Sequence, residues 1–195
     1  MSCTVSKNQI DAIYHPVNDL TLTALSRILG EPQHRLIYLC EKGVVRPDHG
    51  DAKGRGSSRR FSRRNLLEFA IALRLRDVML PVGVIAAVVR VLRMFEKKVV
   101  AEIPGFTLPD SLQDPRSPEL KVVLSEGRLF FTLGRKGGKP KVFGGVDVRR
   151  LPRRAFSVEL VGVEPLNGLG AAKVDLSITA VAQVLPKEVD DNTTE

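Results

Sequence analysis

The chain has 195 residues, 43% of them hydrophobic. That is enough for one large domain or two small ones around a real core, and it excludes disorder along the whole length. Thirty Lys and Arg against 22 Asp and Glu give a net charge of +8, which favours a polyanionic partner over small neutral metabolites. Cys3 and Cys40 are too few for a disulfide framework, lack CxxC spacing and point to a reducing cytoplasm without a structural zinc site. No stretch reaches the roughly 18–20 apolar residues of a membrane span, and the N-terminus lacks the apolar core of a secretion signal. The longest apolar run, Met79 to Val89, is interrupted by Pro81 and Gly83 and reads as a buried helix.

The charge is placed unevenly. Residues 1–103 carry 17 basic against 10 acidic residues, and residues 104–195 carry 13 against 12. Within the first part, Lys42 to Arg64 holds eight basic residues against Asp48 and Asp51 alone, so the polyanion-binding half is expected to be N-terminal.

In chain order, residues 1–18 show no periodicity and are expected to form a loose leader. Leu22, Leu25, Ile28 and Leu29 then share one helical face, and Gly30 ends the run as a C-terminal cap would. Pro32 suits the start of a second short helix with Leu36, Leu39 and Cys40 inward, closed by Gly43. Two short helices joined by a tight turn outline a helix-turn-helix. The segment RPDHGDAKGRGSSRR loses the apolar period and suits a loop or a two-stranded wing. Ser62 offers an N-cap to a third helix running to about Val78. Pro81 restarts a fourth, buried through Ile85, Val88, Val89, Leu92 and Phe95, as far as Lys97 or Lys98.

Residues 101–118 contain five Pro and Gly residues and are expected to be an extended linker. Beyond it the period changes to two, in Phe156, Val158 and Leu160 and along Val174 to Val184. Hairpin signals stand at Glu126 and Gly127 and at Gly137 and Gly138. The expected fold class is therefore α+β: a mainly helical winged helix-turn-helix at 19–100, the linker at 101–118, a small, mainly antiparallel β domain of about five to seven strands at 119–188, and a polar tail at 189–195.

The motifs TLTALSRILG, LIYLCEKGVVRP and SRRFS, with Leu36, Tyr38, Gly43, Pro47, Arg59, Phe61 and Ser62 at matching positions, resemble the mercury-resistance regulator (MerR) family of bacterial winged helix-turn-helix proteins. The resemblance covers residues 20–98 and departs at Ile37 and Cys40, where the family pattern LRYYE has Arg and Glu. It implies a cytoplasmic, nucleoid-associated transcription regulator with RNA polymerase as a further partner, and activation by twisting an over-long promoter spacer, while repression is equally open from the residues. It also implies a long fifth helix that pairs subunits as a coiled coil, which residues 99–118 are not expected to supply.

A recognition helix enters the roughly 12 Å wide major groove by its N-terminal residues, here Gln33, His34 and Arg35. Arg35 suits guanine O6 and N7, and Gln33 suits adenine N6 and N7. Backbone contacts are expected from Tyr38, Lys42, Lys53, Arg55, Arg59, Arg60, Phe61, Arg63 and Arg64. For Tyr38 and Phe61 packing is an equal alternative, and Arg63 and Arg64, in a first helical turn where the dipole disfavours cations, need a nearby phosphate to offset it. His15 and His49 have no partners at metal-ligand spacing and read as surface residues, and Cys40 reads as a small buried hydrophobe.

The leading expectation is a sequence-specific regulator of double-stranded DNA, homodimeric on a roughly palindromic operator, with no cofactor and no catalytic residues. The β domain would serve dimerisation or the sensing of an unknown small effector. An excisionase-like DNA-bending protein is one rival. A ligand-binding β domain with a nonspecific DNA address is another, with Phe130, Phe131, Phe143 and Phe156 lining a pocket or, more often, forming ordinary core. Residues 104–195 contain no His and no Cys, which argues against catalysis there.

Overall fold

A computed structural model describes residues 20–48, 59–134, 138–150, 158–161, 166 and 173–187. The leader, most of the wing segment, Gly137, Phe156 and the tail lie outside these residues. The described chain comprises helices α1 (Leu22–Leu29), α2 (Gln33–Glu41), α3 (Arg63–Asp77) and α4 (Val82–Glu102), then strands β1 (Glu119–Ser125), β2 (Arg128–Gly134), β3 (Lys141–Asp147), β4 (Leu160–Val161) and β5 (Lys173–Ser177), and a last helix, α5 (Ile178–Gln183). This is the expected α+β order.

The helices begin and end where local chemistry dictates. The Thr21 hydroxyl accepts from the Ala24 amide at 3.1 Å, and Gly30, with φ of 66°, takes the left-handed cap of α1. The Ser62 hydroxyl accepts from the Asn65 amide while the Asn65 side chain accepts from the Ser62 amide, a capping box that opens α3. The apolar run at Met79 is not wholly buried. Val78 and Met79 form the turn before α4, and Met79 is 90% exposed with φ of 59°.

The sheet is antiparallel throughout, in the order β4-β3-β2-β1-β5. Glu126 and Gly127, both left-handed, make the tight β1–β2 hairpin predicted for them. A bulge between β2 and β3 falls at Leu129 and Phe130 opposite Gly144. Gly144 is required there, because it has φ of 115° and a Cβ would stand 2.6 Å from the Leu129 carbonyl oxygen.

Two expectations are corrected. The Pro-rich segment is not an extended linker: α4 continues to Glu102, a 3-10 turn covers Asp110–Leu112, and Phe106, Leu108 and Leu112 are buried. Its prolines end the helix, but its apolar residues fold back into the core. The period-two reading of 174–184 also overshoots. Strand β5 stops at Ser177, whose hydroxyl caps α5 by accepting from Ala180 at 3.1 Å. Ile178, Val181 and Ala182 are buried while Ala180 is exposed, the i, i+3, i+4 spacing of a helical face.

One hydrophobic cluster runs from Leu20 through the helices and the Pro-rich segment to β1, β2, β3 and α5. Phe95 of α4 joins the two parts, stacking on Phe131 at 5.0 Å and meeting Phe143 edge-on at 5.2 Å. Phe130 points to the opposite face of the sheet with Val123 and Val142. All three described phenylalanines of the strands are therefore core residues.

Candidate nucleic-acid interface

Gln33, His34 and Arg35 occupy the first turn of α2, and all three are exposed. The inward face of the same helix, Leu36 and Leu39, is buried, so packing fixes which residues face outward. The Gln33 amide nitrogen donates to Thr23 Oγ1 at 3.2 Å, and Arg35 pairs with Glu31 at 2.9 Å. Both bonds are at the surface, where such pairs hold little energy.

Farther along α2, Tyr38 is 37% exposed between two cations, with Lys42 Nζ and the Arg76 guanidinium each 5.6 Å from its ring centroid. Arg76 comes from α3, and sequence reasoning missed it because only the fold brings α3 beside Tyr38. Together these side chains present positive charge beside the recognition turn.

Of the expected backbone contacts, Lys53 and Arg55 lie outside the described residues. Arg59 is exposed and its positive charge lies close enough to the Cys40 thiol to act on it. Burial pushes that thiol up, and the Arg59 guanidinium opposes the rise without cancelling it, so Cys40 stays protonated at neutral pH. Arg60 immediately precedes the bridge in which Phe61 pairs with Leu20.

Three of the expected contact residues have partners inside the protein. The Phe61 side chain is fully buried, edge-on to Phe69 at 5.5 Å, and its backbone amide is taken by the Leu20 carbonyl. Arg63 donates to Asp110 at 3.1 Å, to Gln113 at 2.8 Å and to the Lys187 carbonyl. Arg64 pairs with Glu96 at 2.8 Å. Within the protein, Asp110 and Glu96 offset the unfavourable position of two cations at a helix N-terminus.

Between the two ends of the wing segment lies a polar network that the sequence did not reveal. The buried Asn65 side chain accepts from the amides of Asp48 at 3.0 Å and Ser62 at 3.2 Å, and donates to the Arg46 carbonyl at 2.9 Å. The Ser62 hydroxyl donates to Asp48 Oδ2. Beneath it, Glu68 is 1% exposed and receives Arg93 in a two-point pair at 2.5 and 2.7 Å. Arg93 also reaches Asp48 at 3.2 Å and the Arg46 carbonyl at 2.9 Å. These bonds clamp Arg46, Asp48 and Ser62 onto α3 and α4. Ser62→Ala removes both the helix cap and the bond to Asp48, so it is expected to cost about 1–2 kcal/mol in urea unfolding.

With two short helices, a left-handed turn and a clamped wing base in place, residues 20–92 match the family model described as MerR HTH family regulatory protein. These residues form a MerR-type helix-turn-helix domain. No curated protein matches the chain. The match ends within α4 and stops short of the sheet. Among the described residues, no helix is long and apolar enough to cross a membrane, and no group of three or more His, Cys, Asp or Glu is placed to hold a metal ion.

Proposed function

We propose that the protein is a sequence-specific transcription regulator that binds double-stranded DNA as a homodimer on a roughly palindromic operator. The observation that carries this reading is the exposed run Gln33, His34 and Arg35 at the start of α2, flanked by Tyr38, Lys42, Arg76 and the clamped base of a basic wing. The MerR-type match over residues 20–92 supports a DNA-binding regulator in general terms. Two half-sites multiply the discrimination available to one short recognition helix, which is the reason for a dimer. RNA polymerase is the further partner that the resemblance suggests, and a cytoplasmic, nucleoid-associated location follows from the same reading.

In this arrangement Gln33 and Arg35 read base edges, while Tyr38, Lys42, Arg59, Arg60 and the wing cations Lys53 and Arg55 hold phosphates and set register. Arg35→Ala is expected to weaken binding to the preferred duplex by about 1–3 kcal/mol and to relax selectivity at one position of each half-site. Fluorescence anisotropy on duplexes carrying each base at that position checks it. An equal loss on every duplex would make Arg35 a phosphate contact instead.

A further inference from the structure

A cleft of about 630 Å³ opens between the residues that follow the recognition helix, the first half of α4 and the end of β3. Four arginines line it, Arg46, Arg90, Arg93 and Arg149, and among the described residues no carboxylate does. Its floor is apolar and low, made by Gly83, Ala86 and Ala87 of α4. We propose that this cleft binds a small amphipathic anion, a carboxylate or phosphate ester carried on a compact apolar body.

The volume falls within the range of about 300–1,000 Å³ in which small-ligand sites are found. The arginines are not equivalent. Arg93 spends its donors on Glu68, Asp48 and the Arg46 carbonyl, and so braces the wall. Arg149 gives one nitrogen to the Glu126 carbonyl at 3.0 Å, and the rest of its planar fork has no partner among the described residues. No acidic side chain among the described residues pairs with Arg46. Guanidinium groups of this kind bind carboxylate or phosphate oxygens two at a time. A DNA phosphate would satisfy the same groups, but it would leave the small apolar floor uncovered. A floor of Gly and Ala beneath cationic walls suits a flat or compact hydrocarbon part joined to the anion.

Position gives the site a consequence. Arg46 follows α2 and is held by Asn65 through its carbonyl, whereas Arg149 stands in the turn just past β3, two residues beyond its end at Asp147. An anion held by both would fix the recognition helix against the sheet, and its effect on DNA affinity rests on the function proposed above. Occupancy of the cleft itself does not.

The test uses the full chain without DNA. Phenyl phosphate, inorganic phosphate and benzyl alcohol are titrated by calorimetry and by amide chemical shifts. Phenyl phosphate is expected to bind saturably, about tenfold or more tighter than either of the others, and to move the amides of Gly83, Ala86 and Ala87. Arg149→Met should lose about tenfold or more of that affinity. Gly83 has nothing within 4 Å of where a Cβ would stand, so Gly83→Leu should fold with an unchanged or higher Tm and also lose the phenyl phosphate. Absence of binding, or unchanged binding by the folded Gly83→Leu variant, overturns the proposal. Equal affinity for phenyl and inorganic phosphate also overturns it and makes the arginines a site for the DNA backbone.

Discussion

Replacing Phe95 by alanine should lower the unfolding free energy by about 3–5 kcal/mol, in one transition that carries the helices and the sheet together. The size follows from its surroundings. Phe95 is fully buried on α4 and touches Phe131 of β2 and Phe143 of β3, so its loss leaves a cavity walled by two aromatic rings that strand hydrogen bonding holds in place. The single transition follows from the continuous cluster, in which Phe106, Leu108 and Leu112 of the Pro-rich segment fill the space between the two parts. Far-UV circular dichroism and methyl NMR followed across a urea series check both points. Separate midpoints for helix and sheet probes in the wild-type chain would show that the Phe95 contact does not couple them.

Arg93→Met should be about equally damaging, at about 3–5 kcal/mol, because it leaves the Glu68 carboxylate buried without its cation. The effect carries a pH signature. Burial already holds the Glu68 carboxyl above the usual glutamate range, with Arg93 and Asn65 pulling it back down. A carboxyl whose folded pKa lies above its unfolded value binds its proton more tightly in the native state. Its contribution to stability therefore falls as pH rises from the ordinary glutamate range to the folded pKa. Removing Arg93 raises the folded pKa further and widens that window. The stability difference between wild type and variant should accordingly be greatest near neutrality and shrink toward the acid side of the window. A difference that stays constant with pH would mean that Arg93 acts through packing and its bond to the Arg46 carbonyl, and not through the Glu68 charge.

What was legible in the sequence was mostly local. Gly30, Ser62 and Pro81 mark helix ends because capping and φ restrictions act within a few residues. The turn at Glu126 and Gly127 is set by its two left-handed residues. The exposed reading turn of α2 followed from the placement of Leu36 and Leu39. What was hidden depends on contacts distant in sequence. Arg63 and Arg64 belong to a basic cluster by position, yet their partners Asp110, Gln113, Lys187 and Glu96 lie 32 to 124 residues away. The wing-base network of Asn65, Glu68 and Arg93 is hidden for the same reason, although the S-x-x-N spacing of Ser62 and Asn65 is a local hint of its capping half. The end of β5 was misread because Ile178, Ala180 and Ala182 fit an alternating strand, and only the Ser177 cap separates strand from helix.

The central claim is that α2 reads DNA sequence, and selection of bound duplexes from a random library, followed by a salt series on the winner, tests it most directly. An inverted repeat that survives competitor DNA is expected, with Gln33, His34 and Arg35 assigned to its half-sites by substitution. The slope of log K against log salt should be near −5 if about six phosphates are neutralised. Recovery of nothing above background, with weak and steeply salt-dependent binding, would contradict the account and reduce the basic surface to a nonspecific clamp.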